Sequence, residues 1–461
     1  MTLPLILAAW APPSLAAEVQ FEGFYRARAR GFDTLTLDRD HPQDEGLALY
    51  AEHRLWLAPR FLLSDAVGAF VEIRGLDGVV WGDQPGIVPE DLTEFAPVMP
   101  EHDLTAPTSS TEETTTLLDL TLWRVYGRAD TPIGHFTFGR VPLLWGTGMW
   151  LNDGVHVDPF DADYGDTTDR VAWEMLVQDQ FWLSAAIDVP IESFIGEMDD
   201  TTAFSLSLGY RTETINAGIV ARLDHAGERQ DLDPFNVFTA DAAFDANLGK
   251  LHAAAEVLGQ FGDGDFEGGL NEANVTAFGA TLHADIESDV WKFGVRSGLA
   301  TGDGQEDLNL KTFTFDRDYS IGMFLFEQPM PVLSEASGAA NEANQGRNFD
   351  EARTGNAIQN ALFVKPTITR TIVEGFSAEI SYLYAHVARP LREPGFDQMR
   401  SYGSEFQIGL GYDAIEHFEV DARFGAFLPG SAYTINPDNP DDPSGFEDTA
   451  FGGQLSARIV F

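Results

Sequence analysis

Apolar and polar residues alternate with a period of two along many stretches of the chain. In the first such stretch, Val19, Phe21 and Tyr25 occupy one set of alternate positions. Arg26 and Arg28 occupy the other set. Because side chains of a β-strand point alternately to its two faces, the pattern predicts strands with one apolar and one charged face.

About eighteen segments show this alternation, and many run to roughly 11 residues. Strands of soluble sheets usually have about 5 or 6 residues, whereas a membrane-spanning barrel needs tilted strands of about 9 to 11. The sequence therefore predicts an all-β fold, a transmembrane antiparallel β-barrel of about 18 strands, within about two of that number. The segments begin near Glu18, Leu47, Val67, Leu117, His135, Val171, Phe181, Thr202, Thr214, Phe235, Lys250, Ala273, Val290, Asn356, Glu374, Ser404, His417 and Asp448.

The connections between these segments alternate between short and long. Asp130–Gly134 and Glu287–Asp289 have the length of tight turns, which we assign to the periplasmic side. The long connections are rich in Asp, Pro, Gly and Asn, and we expect them to be acidic extracellular or inward-folded loops. They are Trp81–Thr116, Gly146–Arg170 and Thr301–Gly355. Residues 17–461 show no linker and are predicted to form one barrel domain.

Residues 1–16 are predicted to be a signal peptide. Leu3 to Trp10 is an uncharged apolar run, and Ser14 and Ala16 are small residues suited to signal-peptidase cleavage. The expected basic residue near the start is missing, and a short buried strand is the alternative. Export places the chain beyond the inner membrane, and the barrel pattern predicts the outer membrane of a Gram-negative bacterium.

Composition excludes several classes of function. The 461 residues include 73 acidic and 28 basic side chains, a formal net charge of −45, which argues against binding nucleic acid. The chain has no Cys, so thiolate metal sites and cysteine-ligated clusters are excluded. No cofactor is expected. A helical membrane protein is a poor fit because the mature chain has no run of about 20 apolar residues.

The charged residues on the strands favour a polar lumen. The chain has 24 Arg and only 4 Lys, and Arg forms fixed, planar pairs with carboxylates that suit a crowded interior. A soluble secreted β-protein with an acidic surface is the alternative. The candidate pore-lining residues are Arg26, Arg28, Arg30, Glu52, Arg54, Glu72, Arg74, Arg124, Arg128, Arg140, Asp169 and Arg170. Rows of Arg facing rows of acid would create a transverse field, or each Arg would simply pair with a neighbouring carboxylate.

The loop from Phe315 to Phe326 is too apolar to lie free in water. We predict that it folds into the barrel as a constriction, with Asp316, Arg317, Asp318 and Tyr319 as the candidate residues. A packing contact among loops, or an extension of a wall strand, is the alternative.

Two acidic loop segments contain the oxygen ligands that a calcium site needs. Gly262–Glu267 and Asn436–Asp442 offer hard oxygen ligands, but neither has the spacing of an EF-hand or a nonapeptide repeat. Solvated acidic loops are the favoured interpretation, and no metal site is predicted.

The last strand ends on Phe461, in phase with the apolar residues Leu455 and Ile459. A terminal aromatic on an alternating strand resembles the assembly signal of outer-membrane barrels. We therefore expect Phe461 to be read by the barrel-assembly machinery. The other expected partners are outer-membrane lipids and lipopolysaccharide.

One stretch of about 30 residues resembles a known family. It contains Gly139-Arg140-Val141-Pro142, then Trp145-Gly146-Thr147-Gly148-Met149 and Asn152-Asp153-Gly154, and it ends at Tyr164–Arg170. It is similar to uncharacterised outer-membrane barrel proteins of myxobacteria, which look like distant cousins of alginate-export-type porins. The resemblance implies that Arg140, Asp169 and Arg170 form part of the lumen. The strong net negative charge departs from what an exporter of an acidic polysaccharide needs.

These patterns predict a porin-like channel for passive diffusion of small polar or anionic solutes, saccharides included. The alternative is an occluded, non-conducting surface protein whose acidic loops bind a partner or a polysaccharide. The chain has no G-x-S-x-G, H-E-x-x-H or phosphate-binding glycine loop, and it is predicted not to be an enzyme.

Overall fold

The computed structural model of the chain describes most of its strands and parts of its loops. The residues described are 18–33, 47–76, 80–82, 120–154, 165–190, 201–227, 234–266, 270–303, 309–316, 318–327, 357–390, 400–434 and 449–461. The predicted signal peptide, Arg317 and most of the acidic loop segments lie outside this set.

Eighteen strands form a closed antiparallel barrel, in which each strand pairs with its neighbours along the chain. The wall strands are β1 (Glu18–Asp33), β2 (Leu47–Ser64), β3 (Val67–Gly75), β5 (Leu120–Thr131), β6 (Gly134–Pro142), β7 (Thr167–Val177), β8 (Phe181–Pro190), β9 (Thr201–Arg211), β10 (Ile215–Ala226), β11 (Phe235–Leu248), β12 (Leu251–Phe266), β13 (Leu270–Glu287), β14 (Trp291–Ala300), β16 (Ala361–Val373), β17 (Phe376–Val387), β18 (Ser401–Ile415), β19 (Phe418–Pro429) and β20 (Ala450–Val460). The predicted fold class is therefore confirmed.

Three short elements complete the described structure. β4 (Val80–Gly82) pairs with β2 beyond the end of β3, and β15 (Asn309–Leu310) pairs in parallel with β13. A single helical turn, α1 (Ser431–Thr434), follows β19. No helix in the described ranges is long and apolar enough to cross a membrane.

The first and last strands close the barrel. β1 pairs with β20 from Phe24 opposite Val460 to Asp33 opposite Phe451. Beyond this ladder, the amide of Gly23 donates to the carbonyl of Phe461 at 2.8 Å, and the amide of Phe461 donates to the carbonyl of Gly23 at 2.9 Å. The seam thus runs to the last residue of the chain.

Strand alternation gives the wall an apolar outer face and a polar inner face. On β1, Phe21 is exposed to the outside, whereas Arg26 and Arg28 are buried inside the barrel. The outward residues of the other strands are mostly Leu, Ile, Val and Phe, and many are about half exposed. Because every backbone group in a closed barrel has a partner and the outer face is apolar, this wall is suited to a lipid environment.

The two ends of the barrel differ in their connections. One end carries Glu18, Phe461 and tight turns, including the two-residue turn between β5 and β6 and the short turn between β13 and β14, which confirms the predicted tight turns. The other end carries the long connections. Two of these, the β6–β7 loop (residues 143–166) and the β14–β16 loop (residues 301–360), have described parts that lie inside the barrel.

Candidate functional site

Six arginines line one side of the barrel interior. Residues directly opposite each other on adjacent strands point to the same face of the wall. Arg26 lies opposite Arg54, and Arg124 lies opposite Glu72, which precedes Arg74 by two positions on β3. The six arginines therefore lie on the inner face of four adjacent strands. Trp56, on the same face of β2 as Arg54, lies opposite Arg74. We call this group the arginine row, and its members are Arg26, Arg28, Arg30, Arg54, Arg74 and Arg124.

Two glutamates lie within the arginine row and pair with four of its members. Glu52 Oε1 lies 2.7 Å from Arg28 Nη2 and 2.8 Å from Arg30 Nη2. Glu72 lies 2.8 Å from both Arg74 and Arg124 through its two carboxylate oxygens. These contacts agree with the alternative in which arginines pair with Glu52 and Glu72, and they leave room for the other, because the pairing is incomplete.

A β-bulge in β5 adds an aromatic ring to the row. The register between β3 and β5 shifts at Glu72, so that Trp123 and Arg124 are both accommodated opposite it. The guanidinium carbon of Arg74 lies 4.1 Å from the centroid of the Trp123 ring, a distance typical of a cation–π contact. The Trp123 ring thus covers the Arg74 guanidinium, which is almost completely buried.

Six positive charges against two negative charges leave this side of the described lumen with an excess of four. A low-dielectric wall weakens the screening of such charges, so the row attracts anions and repels cations. Lumen charges of this kind set the selectivity of a channel.

Acidic residues face the arginine row from the other side of the barrel. Asp241 on β11 and Glu256 on β12 are buried on the inner face, about half of the way around the eighteen-strand wall from β1 and β2. They bind the β6–β7 loop, because Trp145 Nε1 donates to Asp241 at 2.9 Å. The amide and the hydroxyl of Thr147 donate to Glu256 at 2.6 and 2.7 Å.

The β14–β16 loop brings an apolar cluster into the barrel. Its residues Phe313, Phe315 and Phe324 are almost completely buried and contact wall residues near the long-loop end. The Phe324 ring, for example, lies 5.5 Å from Phe32 and 6.1 Å from Phe427. The predicted inward folding of this segment agrees with the structure, and the packing contact among loops is also present.

A buried wall carboxylate fixes this cluster in place. Glu405 on β18 accepts hydrogen bonds from the backbone amides of Met323, Phe324 and Leu325 at 2.7, 3.1 and 3.0 Å. Gln407 donates a fourth hydrogen bond at 2.5 Å. Four donors satisfy most of the lone pairs of a carboxylate, which compensates for its complete burial.

The predicted constriction residues have partners other than those expected. Asp316, Asp318 and Tyr319 lie inside the barrel, whereas Arg317 is outside the described residues. Asp316 lies close enough to Asp166 of the β6–β7 loop for the two charges to act on each other. Asp318 accepts a hydrogen bond from the backbone amide of Gly165. Tyr319 OH lies 2.5 Å from His283 Nε2 of β13.

Burial and mutual repulsion change the acidity of these loop carboxyls. Burial raises the pKa of Asp316 well above its usual value, and the negative charges of Asp166 and Asp318 raise it further. Burial also raises the pKa of Asp166, to about 6.

The predicted pore-lining positions of Arg140 and Asp169 are wrong. Arg140 lies opposite Asp169 and Val125 and in phase with Phe138, on the outward face of the wall. Phe138 and Val125 are exposed to the outside, and so is Val171 beside Asp169. The pair meets at 3.3 Å near the long-loop end of the barrel, where it contributes nothing to the lumen.

The remaining predicted pore residues face inward. Arg170 binds Asp188, with Nη2 at 2.8 Å from Oδ2. Arg128 lies near the short-turn end, is about half exposed, and lies 3.3 Å from Asp130.

Several inward charged residues escaped the sequence-based selection. Arg222 on β10 is buried and binds Asp188 and Asp224 at 3.0 and 2.9 Å. Glu256 and Glu405 are completely buried. All three occupy the polar positions of alternating strands, so strict use of the alternation would have found them. The described residues contain no group of three or more acidic or histidine side chains able to hold a metal ion.

Comparison with known proteins shows the fold. No family model and no curated protein matches the chain. Among solved structures, OccAB3 of Acinetobacter baumannii is similar with a TM-score of 0.55 and 9% identity, over 96% of this chain and 99% of that chain. A BenF-like porin from Pseudomonas fluorescens Pf-5 has a TM-score of 0.53 and 10% identity, over 96% and 98% of the two chains. OccAB4 of Acinetobacter baumannii has a TM-score of 0.51 and 11% identity, over 98% and 99%.

The fold and the apolar outer face together decide the location. The protein is an outer-membrane β-barrel. A barrel of eighteen antiparallel strands with long loops at one end is the architecture of bacterial outer-membrane proteins, so the predicted location is confirmed. Nothing in the comparisons supports the resemblance to the myxobacterial proteins or to alginate-export-type porins.

Proposed function

We propose that this outer-membrane barrel is a channel for passive diffusion of small polar or anionic solutes, saccharides included. The arginine row is the observation that carries the proposal. It places six positive side chains along one side of the described lumen, and Glu52 and Glu72 compensate only part of their charge. The opposing carboxylates do not cancel it locally because they lie across the barrel and bind the β6–β7 loop.

The arrangement selects by charge and by hydrogen bonding. Guanidinium groups present several donors in a fixed geometry, which suits the planar carboxylates and the hydroxyl groups of small solutes. Pairing with Glu52 and Glu72 holds the arginine side chains in place along the wall. A passing anion would therefore move from one guanidinium group to the next. The proposed function is transport without catalysis.

Single-channel recording in a planar bilayer, with the reversal potential measured in a salt gradient, tests the proposal. We expect discrete conductance steps with a preference for anions. Arg30→Gln should lower the anion-to-cation permeability ratio by about twofold or more, because it removes one of the four excess charges while Arg28 still binds Glu52. Arg140→Gln is the matched control, since its side chain lies on the outward face.

Steps without anion preference, or an equal change in both variants, would contradict the role of the arginine row. Failure to observe any steps, despite insertion confirmed by heat-dependent migration on a gel, would contradict the channel.

The second candidate is the occluded, non-conducting surface protein. The observation that favours it is the apolar cluster of the β14–β16 loop, which occupies part of the lumen and is held there by Glu405. Most of the acidic loop segments that would bind a partner or a polysaccharide are outside the described residues. An inserted barrel that never conducts is the outcome that selects this candidate.

We also propose that residues 1–16 are removed on export and that Phe461 is recognised by the barrel-assembly machinery. The position of Phe461 at the closing seam supports the second proposal. The residue that the assembly machinery recognises would also be the one that completes the pairing between the first and last strands. Outer-membrane lipids and lipopolysaccharide are the proposed partners of the apolar outer face. The mass of the mature protein isolated from outer membranes tests the cleavage.

A further inference from the structure

One line of cross-strand neighbours on the inner face of the wall runs from an aromatic pair to an ion pair. Phe70 of β3 lies opposite Tyr126 of β5, and Tyr126 lies opposite Gly139 of β6. Gly139 in turn lies opposite Arg170 of β7, which lies opposite Asp188 of β8 and binds it. Because directly opposite residues share a face of the wall, all five positions face the lumen.

The half-buried Tyr126 ring directs one of its faces toward β6. Its other face packs on Phe70, since the two ring centroids lie 4.8 Å apart and the ring planes differ by only 10°. Stacking on a neighbour from β3 sets the Tyr126 ring roughly across the line that joins β3, β5 and β6. The second face of the ring is therefore directed toward Gly139 and Arg170.

Gly139 leaves a recess between the Tyr126 ring and the Arg170 side chain, which we call the tyrosine recess. Gly139 has a φ of +113°, and a Cβ atom there would lie 2.5 Å from a backbone carbonyl oxygen, so a larger residue would be strained. Neighbouring strands lie about 4.8 Å apart, so β5 and β7 are about 10 Å apart across this glycine. On the next line toward the short-turn end, β6 and β7 carry Thr137 and Ala172, which are also small.

The guanidinium group at the edge of the tyrosine recess is fixed from its far side. Arg170 binds Asp188 through Nε and through Nη2, which lies 2.8 Å from Oδ2. Asp188 is completely buried and also binds Arg222 at 3.0 Å. Asp188 lies on the β8 side of Arg170, whereas the tyrosine recess lies on its β6 side. Nη1, which takes no part in the contact with Asp188, is therefore the nitrogen that can donate to an oxygen in the recess.

We propose that the tyrosine recess is a binding subsite for a pyranose sugar ring, which stacks on Tyr126 and accepts a hydrogen bond from Arg170 through a ring substituent. A pyranose has an apolar face of C–H groups that packs on an aromatic ring at about 4 Å. That contact, the sugar ring and one hydrogen bond of about 3 Å together fit the span of about 10 Å between the flanking strands. The inference rests on the proposed channel function and deepens it by naming a substrate class.

The aromatic pair separates this subsite from the arginine row. An inorganic anion gains little from an aromatic face, because the face of the ring carries partial negative charge. Arg170 donates to hydroxyl and carboxylate oxygens alike, so neutral sugars and uronic acids share the chemistry that the tyrosine recess recognises.

Block of the single-channel current by added sugars tests the subsite. Glucose and glucuronate should reach half-saturation at concentrations at least about fivefold lower than sorbitol and gluconate, which carry similar groups on an open chain without a ring face. Tyr126→Leu should raise the half-saturating concentration of the two ring sugars by about fivefold and leave the open-chain compounds unchanged. Tyr382→Leu is the matched control, because Tyr382 lies opposite Phe406 in an aromatic pair on the outward face.

Arg170→Gln distinguishes the two kinds of sugar. It should weaken block by glucuronate more than block by glucose, because a hydrogen bond between two charged groups is about twice as strong as a neutral one. An equal loss for both sugars would mean that the subsite takes the ring with its hydroxyl groups and does not select the acid. Equal half-saturation for all four compounds overturns the subsite.

Equilibrium binding separates failure of the subsite from failure of the channel. Saturation-transfer NMR of the folded barrel with glucose reports contact with the sugar whether or not the barrel conducts. A protein that conducts, but binds glucose no better than Tyr126→Leu does, overturns the subsite and leaves the channel. A protein that never conducts, yet binds glucose through Tyr126, overturns the channel and keeps the subsite. If Tyr126→Leu fails to insert, Thr137→Leu makes the same test by narrowing the tyrosine recess.

Discussion

At the scale of single residues, the direction of each side chain follows from strand parity. The alternation around Arg26 and Arg28 predicts that both side chains face the lumen, and the structure has them there. Arg140 also lies on an Arg-rich early strand, but its phase with Phe138 points it outward. The parity rule is physical, since a one-residue shift moves a side chain from the lumen to the lipid.

The contacts between wall carboxylates and loops were not predictable in the same way. Glu256 binds Thr147, and the two residues are separated by 109 positions. Glu405 binds Met323, 82 positions away. The alternation of β18 predicts that Glu405 faces inward. The irregular loop has no such period, so its position inside the barrel could not be predicted from the sequence.

Glu405→Gln tests the attachment of the β14–β16 loop at this scale. The substitution removes the charge and directs an amide donor toward backbone donors, so the loop should lose about 2–4 kcal/mol of its attachment. Limited proteolysis of the folded barrel should then cleave within residues 318–327 at least about tenfold faster than in the wild type.

Glu416→Gln is the control for that measurement, because its side chain is exposed in a tight turn at the other end of the barrel. Equal cleavage rates for wild type and Glu405→Gln would show that the apolar cluster alone holds the loop.

At the scale of strands, the number and order of the elements were accessible from the sequence. Segments predicted to begin near Glu18, Leu47 and Phe181 coincide with the starts of β1, β2 and β8. The segment predicted near Asn356 begins instead at Ala361, because the preceding residues belong to the inward part of the β14–β16 loop. The inward loops contain apolar residues like those of the strands. The pattern of apolar residues therefore does not show where such a loop ends and the next strand begins.

Gly23→Ala tests the closure of the barrel between β1 and β20. A Cβ atom at this position would lie 2.6 Å from the Phe461 ring and 2.7 Å from the carbonyl oxygen of Trp56, which is backbone. We expect a loss of about 1–3 kcal/mol in the free energy of unfolding and a lower yield of inserted barrel. The temperature at which the band shifts on a gel measures the effect.

Gly227→Ala is the matched control, because a Cβ atom there meets nothing within 4 Å. If both variants shift at the same temperature, the contact between Gly23 and the terminal ring does not contribute to closure.

At the scale of the whole molecule, charge is distributed unevenly. The chain as a whole carries a formal charge of −45, yet one side of the described lumen carries four excess positive charges. Net charge therefore indicates little about the path that a solute takes, and the selectivity depends on where the strands direct their side chains.

The anion preference should depend on salt. The Debye length is about 10 Å at 0.1 M and about 3 Å at 1 M, so concentrated salt screens the more exposed members of the row, such as Arg30. We expect the anion-to-cation permeability ratio to fall severalfold between these two concentrations. Reversal potentials at a constant salt ratio and increasing absolute concentration measure it, and a constant ratio would mean that pore size alone selects the ions.

Glu405 and Glu256 hold the inward loops through main-chain amides, together with the hydroxyl of Thr147. An amide is present at every position except proline, so these attachments place few demands on side-chain identity. The limit at Met323 and Leu325 is instead packing, because both side chains are buried in the apolar cluster. An engineered nanopore based on this barrel would therefore keep the cluster and change side chains elsewhere on the inward loops, where the attachment to Glu405 and Glu256 does not depend on them.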